Sequence, residues 1–266
     1  MGSVLILNID IQMVTSMISP EATAIYTTAF YIAVTIDMPK RSISQIMLPI
    51  VSKDFEDNNL DRIKESYIKI SLFQMTVGLL FFMLIGTNLR SIYSMIPNGG
   101  IYENGYNVVL IIAFARIIDM SFSINSEIIS MSKYYKANFI LVFIFGLLVF
   151  LLNWLLIPSF KIEGAAFASL LAIFIFNVLK LILIRIKLKM QPFSWLNLYV
   201  LLLAAITTIF VILLPKIGNH YLDVTINSLL IMGIYGFAIW RMKWIPEINF
   251  FIQHINSMMV VIFKKI

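Results

Sequence analysis

Residues 24–51 read "AIYTTAFYIAVTIDMPKRSISQIMLPIV". The stretch is long enough to cross a bilayer, which takes about 20 mostly apolar residues. Yet Asp37, Lys40 and Arg41 stand in its middle. Asp37, Lys40, Arg41 and Ser44 fall at i, i+3, i+4 and i+7, which puts them on one face of a helix. Pro39, beside them, removes a backbone donor and predicts a kink. The segment is either a membrane helix with one polar face or an amphipathic helix of a soluble protein.

Composition decides between the two. The chain has 266 residues, 60% hydrophobic and 13% charged, with a mean hydropathy of +0.92. Soluble domains are typically about 45–50% apolar and about 25% charged. The expected fold class is therefore an all-α integral membrane protein. With no cysteine, disulfides, thiolate metal sites and cysteine nucleophiles are excluded. His220 and His254 are too far apart in sequence to suggest a metal cluster. The net charge of +6 is read as the Lys/Arg excess of cytoplasmic loops rather than as a nucleic-acid surface. Met-Gly-Ser followed by Val-Leu-Ile-Leu resembles neither a cleavable signal nor a myristoylation site.

Working outward from 24–51, about eight transmembrane helices are expected, near 4–18, 23–51, 67–96, 105–131, 136–157, 163–187, 195–214 and 223–244. Ser19-Pro20, Pro97-Asn98-Gly99-Gly100, Pro158, Pro192, and Pro215 with Gly218 separate them. A helical pattern starts near Leu60, ahead of the third span. The tail from Phe250 to Ile266 suits an interfacial helix. Basic residues alternate between loops. Lys53, Arg62 and Lys64 follow span two, and Lys133 and Lys136 follow span four. Arg185, Lys187 and Lys189 close span six, and Arg241, Lys243, Lys264 and Lys265 follow span eight. The intervening loops hold Lys161 or Lys216 alone, or nothing. By the positive-inside rule both ends of the chain are expected in the cytoplasm.

An ionisable group at mid-bilayer costs at least about 2.5–3.5 kcal/mol and usually faces a protein interior or wet cavity. Asp10, Asp37, Lys40, Arg41, Arg116, Asp119 and Glu127 are the candidates. Arg116, Asp119, Ser123, Ser126 or Glu127, and Ser130 form a second polar stripe. In span one, Asn8 and Gln12 share a side near Asp10. At 1.5 Å per residue, Asp37 is about 22 Å from the outer end of its helix, Arg116 about 16 Å and Asp10 about 12 Å. Three polar faces at overlapping depths suggest a hydrated space. Lys40, Arg41 and Arg116 would attract a net-anionic cargo there, and arginine suits phosphate because its planar guanidinium donates two parallel hydrogen bonds. Asp10, Asp37, Asp119 and Glu127 would balance charge or take up a coupling proton. Intrahelical neutralisation of Asp37 by Lys40 or Arg41, and of Arg116 by Asp119, is the alternative. Glu127 also fits the cytoplasmic interface.

No G-x-x-x-x-G-K-[ST], H-E-x-x-H or G-x-S-x-G occurs. No nucleotide site or enzyme constellation is visible, so no cofactor and no catalysis are expected.

The segment "NWLLIPSFKIEGAAFASLLAIFIFNVLK", residues 153–180, sets Gly164, Ala168 and Ala172 four apart, a small face for close helix packing. It also resembles the polysaccharide-transport (O-antigen and capsule flippase) family of the multidrug/oligosaccharidyl-lipid/polysaccharide exporter superfamily. There a Pro-containing loop leads into G-[IVY]-x-G-A-A-x-A-[ST]. Here the run is Lys161 to Ser169, with Lys161 where the family more usually has Gly. "LNIDIQMVTSMISPEATAIYTTAFYIA" (7–33), "MPKRSISQIMLPIVSKDF" (38–55) and "NSEIISMSKYYKAN" (125–138) are looser matches in the same order. The resemblance implies that 1–190 is the second six-helix lobe of a two-lobe transporter and 191–266 two additional helices with a cytoplasmic or interfacial tail. It implies a bacterial inner-membrane protein that flips undecaprenyl-diphosphate-linked oligosaccharide by alternating access, either as a fragment of a larger transporter or with the N-terminal lobe as a separate chain. Energy would come from a proton or sodium gradient. A cation-coupled multidrug exporter, a peptidoglycan-precursor flippase and a non-transporting assembly subunit remain the alternatives.

Overall fold

Short polar breakers divide an almost wholly helical chain. The structure is a computed structural model; it describes residues 9–96, 99–215 and 218–242, and no strand occurs among them. Asn8, Pro97, Asn98, Lys216, Lys243 and the expected tail helix with His254, Lys264 and Lys265 lie outside the described residues. The helices are α1 (Ile9–Met17), α2 (Pro20–Val34), α3 (Met38–Glu56), α4 (Leu60–Met95) and the short α5 (Gly99–Tyr102). They continue with α6 (Tyr106–Ser121), α7 (Asn125–Met131), α8 (Tyr135–Leu188), α9 (Trp195–Leu213) and α10 (His220–Met242).

Their starts follow from side chains that satisfy first-turn N–H groups. Ser19 accepts from the Ala22 N–H at 3.2 Å, with Pro20 in the first turn. Asn59 accepts from the Arg62 N–H at 3.3 Å, so α4 begins at Leu60 as its pattern predicts. Asn197 Oδ1 accepts from the Ser194 N–H at 2.9 Å and opens α9.

The expected second span is α2, a 3₁₀ turn at Thr35–Asp37, and α3. Pro39 explains the turn. Its ring clashes with the carbonyl four residues back, and it has no N–H to offer that carbonyl. The Met38 N–H reaches Thr35 O instead, which tightens the helix locally. The expected fourth span is also interrupted. Ser123 has a φ of 59° and separates α6 from α7. The Ser71 hydroxyl donates to the Ser121 carbonyl at 2.6 Å, which replaces a helical partner there. The polar stripe read along 116–130 is therefore two pieces.

The long α8 folds back on itself. Lys161, at φ 52° and ψ −131°, is non-helical and divides it into arms 135–160 and 162–188. Phe145 stacks on Phe176 at 4.7 Å between centroids, and Lys187 lies 5.8 Å from the Tyr134 ring. Both pairs straddle Lys161 nearly symmetrically, so the arms are antiparallel. A Cβ on Gly164 would sit 2.3 Å from the Leu156 carbonyl oxygen. Eight residues of straight helix would separate those positions by about 12 Å. Only glycine fits where the arms cross.

Helix α4 runs through the middle of the bundle. Its Leu89 and Tyr93 belong to a core cluster that also holds residues of α1, α2, α6 and α8 (Ala165, Ala166). Its Leu72, Met75, Leu79 and Met83 pack with α9 and α10. Its Ile63 and Tyr67 pack with α3, α7 and the far ends of α8.

Five helices among the described residues are long and apolar enough to cross a membrane: Leu60–Met95, Gly99–Ser121, Tyr135–Leu188, Trp195–Leu213 and His220–Arg241. The folded-back α8 covers two of the expected spans. Only 17% of its most apolar window is buried inside the protein. A surface that apolar, bare of protein, has lipid as its natural solvent. This is the pattern of a multi-pass membrane protein.

Candidate functional site

The 3₁₀ turn before Pro39 lies against α6, and the two segments run side by side in the same direction. Asp37 and Arg116 pair at 3.2 Å, and Lys40 pairs with Asp119. Both partners are 79 residues apart, so the pairs form successive rungs. Each strand of this ladder carries its two charges at i, i+3, one turn of one face. The order is acid then base on the first segment, and base then acid on the second. Neutralisation therefore runs between helices, and not within each helix. The contact also puts Asp37 and Arg116 at one depth, where simple counting from the helix ends had them about 6 Å apart.

Each rung has further support. The Arg116 guanidinium lies 5.5 Å from the Phe30 ring, a cation–π contact. Asn177 on the second arm of α8 donates to Asp119 Oδ1 at 2.9 Å. Asn125 at the start of α7 donates in turn to Asn177 Oδ1 at 3.3 Å. Lys40 also reaches the Asp119 backbone carbonyl at 3.3 Å. Such hydrogen bonds offset part of the cost of taking the second rung's charges out of water.

Asp10 completes the upper part. It accepts from the Tyr26 hydroxyl at 2.7 Å and from Ser169 at 3.2 Å. Asp10, Phe30, Arg116, Phe145 and Ser169 line a cavity of about 20 Å³, room for about one water. The buried atoms Asp37 Oδ1 and Arg116 Nε have no hydrogen-bond partner among the described residues. Asp10 and the upper rung of the ladder meet, but the expected Asn8/Gln12 side of the first span does not join them: Gln12, two residues from Asp10 and so on the other side of α1, is exposed, and Asn8 lies outside the described residues. The space that Asp10 and Arg116 share is water-sized.

Arg41 stands apart. It is exposed, next to the exposed Met38, and makes no ion pair among the described residues. Glu127, in the first turn of α7, is buried.

Lys180 was not among the expected site residues. It is buried, its Nζ donates to Ser126 at 2.8 Å, and it lies 3.6 Å from the Phe176 ring. Asp119 and Glu127 are within its electrostatic reach. The signal was present in the sequence: Asn177 and Lys180 stand i, i+3 inside the sixth apolar segment. Among the described residues no three His, Asp or Glu side chains group as metal ligands. The constellation can hold helices together, exchange ion-pair partners, and accept a proton on a carboxylate. No protein-family model, no curated protein and no solved structure matches the chain.

Proposed function

We propose that the chain is one lobe of a bacterial inner-membrane transporter for undecaprenyl-diphosphate-linked oligosaccharide, the repeat unit of a surface polysaccharide. The observation that carries this reading is a two-rung charge ladder at a helix break inside an apolar bundle. Ionisable pairs at broken membrane helices mark transport pathways. Cargo identity rests on the family resemblance of residues 4–190. The ladder is neutral in itself, so its bases are occupied in this conformation. Arg41, exposed one residue from the ladder, is the cation best placed to meet a diphosphate presented at the joint with the other lobe. Asp10, held by two hydroxyls at the head of the ladder, suits proton or sodium coupling. Alternating access needs two lobes, so a first lobe, in the same polypeptide or another, is required.

A second reading is supported by the charge balance at and around the ladder. Buried Asp10, Asp37 and Glu127 with half-buried Asp119 outnumber buried Arg116 and Lys180 with half-buried Lys40, which favours a cationic cargo and hence a cation-coupled drug exporter.

Lipid-linked glycans from a strain lacking this gene separate the two. The flippase reading expects undecaprenyl-diphosphate oligosaccharide to accumulate at the inner face. The wild-type gene should clear it and Arg41→Ala should not. No accumulation, with raised sensitivity to cationic drugs, would replace it with the exporter reading.

A further inference from the structure

The upper rung of the ladder, Asp37 with Arg116, and the lower rung, Lys40 with Asp119, differ in what stands behind them. Asp37 and Arg116 are both buried. Arg116 has a second acid close by, because Asp10 lines the same water-sized cavity. Asp10, however, is already held on both oxygens, by the Ile11 N–H at 2.9 Å and by the hydroxyls of Tyr26 and Ser169. In the lower rung the side chains of Lys40 and Asp119 stay 19% and 21% exposed, and a second base stands behind Asp119.

That base is Lys180. An ammonium has three N–H donors. Ser126 accepts from Lys180 at 2.8 Å, and the ammonium lies 3.6 Å from the Phe176 ring. Lys180 makes no ion pair among the described residues, although it is buried. A buried charge without a partner is costly, so Lys180 gains by reaching an acid. Asp119 acts on it and, less strongly, so does Glu127 from α7. The face of α8 that carries Lys180 already touches Asp119: Asn177, one turn earlier, donates to Asp119 Oδ1 at 2.9 Å. The first arm of α8 brings no charge to this level, where the register of Phe145 on Phe176 sets Leu141 opposite Lys180.

Lys40 is the partner placed to leave. It follows Pro39 in the first turn of α3, directly after the 3₁₀ turn. Such breaks at the ends of elements are where chains pivot. Lys40 also repels Lys180. While Lys40 holds Asp119, the second ammonium is kept off, and when Lys40 leaves, the acid is open to it.

We propose that Lys40 and Lys180 exchange places on Asp119. In the described conformation Lys40 holds the carboxylate. In the other, Lys180 holds it and Lys40 is released beside the exposed Arg41. Asp119 is paired in both, so the exchange leaves no bare carboxylate in the interior. The upper rung stays closed and serves as the pivot. The exchange goes beyond the cargo reading, and its test uses no cargo.

The chain has no cysteine, so Ser42→Cys on α3 and Ile186→Cys on α8, both at exposed positions, can carry spin labels. Double electron–electron resonance in detergent then reads the distance between α3 and α8. Lys40→Met should raise a second distance population at least about threefold over the wild type, and adding Lys180→Met should remove it. Melting tests the same point without labels. Lys180→Met should lower the melting temperature by at least about 4 °C more in the Lys40→Met background than in the wild type. A double variant that fails to fold, where both single variants fold, is that result in the extreme. Adding Asp119→Asn should remove the excess. If the excess persists without the carboxylate, repulsion between the two lysines accounts for it and the exchange falls. Equal losses in both backgrounds, or a Lys40→Met distance distribution identical to that of the wild type, also overturn the proposal.

Discussion

Arg116 and Arg90 set the same residue type into one bundle with opposite outcomes. Arg116 is buried and touches Asp37 at 3.2 Å. Arg90 is exposed, five residues from the end of α4, against the Tyr106 ring. Depth explains the difference. Where water is absent, an unpaired charge is costly, so acid and base must find each other. An exposed arginine near a helix end keeps its hydration and needs no acid beside it. Contact in the interior makes a joint between helices.

The variant that should break this contrast most severely is Arg116→Ala. It strands Asp37 in an apolar interior, and removing one member of a buried pair costs about 3–5 kcal/mol. A large fall in melting temperature in detergent, or loss of folded protein, is the expected result. A melt like that of wild type would mean that Asp37 is solvated and the ladder is not a joint.

Next is Gly164→Val, which acts on the hairpin that carries Ser169 and Asn177 to the ladder. Its Cβ would meet the Leu156 carbonyl at 2.3 Å. Overpacking of that kind costs about 1–3 kcal/mol, readable as earlier thermal aggregation. Lys161→Gly should do the reverse. A lysine at φ 52° and ψ −131° is strained, and glycine adopts that region freely. A gain of about 1 kcal/mol is expected, measured as a higher melting temperature. Smallest of all is Arg90→Ala. Arg90 is exposed, so stability in detergent should change by less than about 0.5 kcal/mol. A loss as large as that of Arg116→Ala would erase the distinction between the two regions.

Much of the architecture was legible in the sequence because it depends on local chemistry. Ser19-Pro20 and Asn59 start helices where their side chains predict, and Pro39 marks the 3₁₀ turn. Position 161, a lysine, has a positive φ that favours glycine, which the sequence does not announce. What could not be read depends on neighbours distant in sequence. An i, i+3 acid–base pair looks the same whether it closes on itself or on a parallel helix, so the 79-residue register of the ladder was hidden. The break at Ser123 depends on a hydroxyl contributed by Ser71 from α4. Arg41 has the spacing of its neighbours but falls on the open side of the turn. Lys180 passed unnoticed because its segment was read for its small residues.

The ladder is tested most directly by exchanging its charges. Asp37→Arg and Arg116→Asp are made singly and together, and each protein is melted in the same detergent. The account predicts that each single variant is strongly destabilised, by like charges in contact, and that the double variant recovers much of the loss. Single variants as stable as wild type, or a double variant no better than the sum of the two, would contradict it.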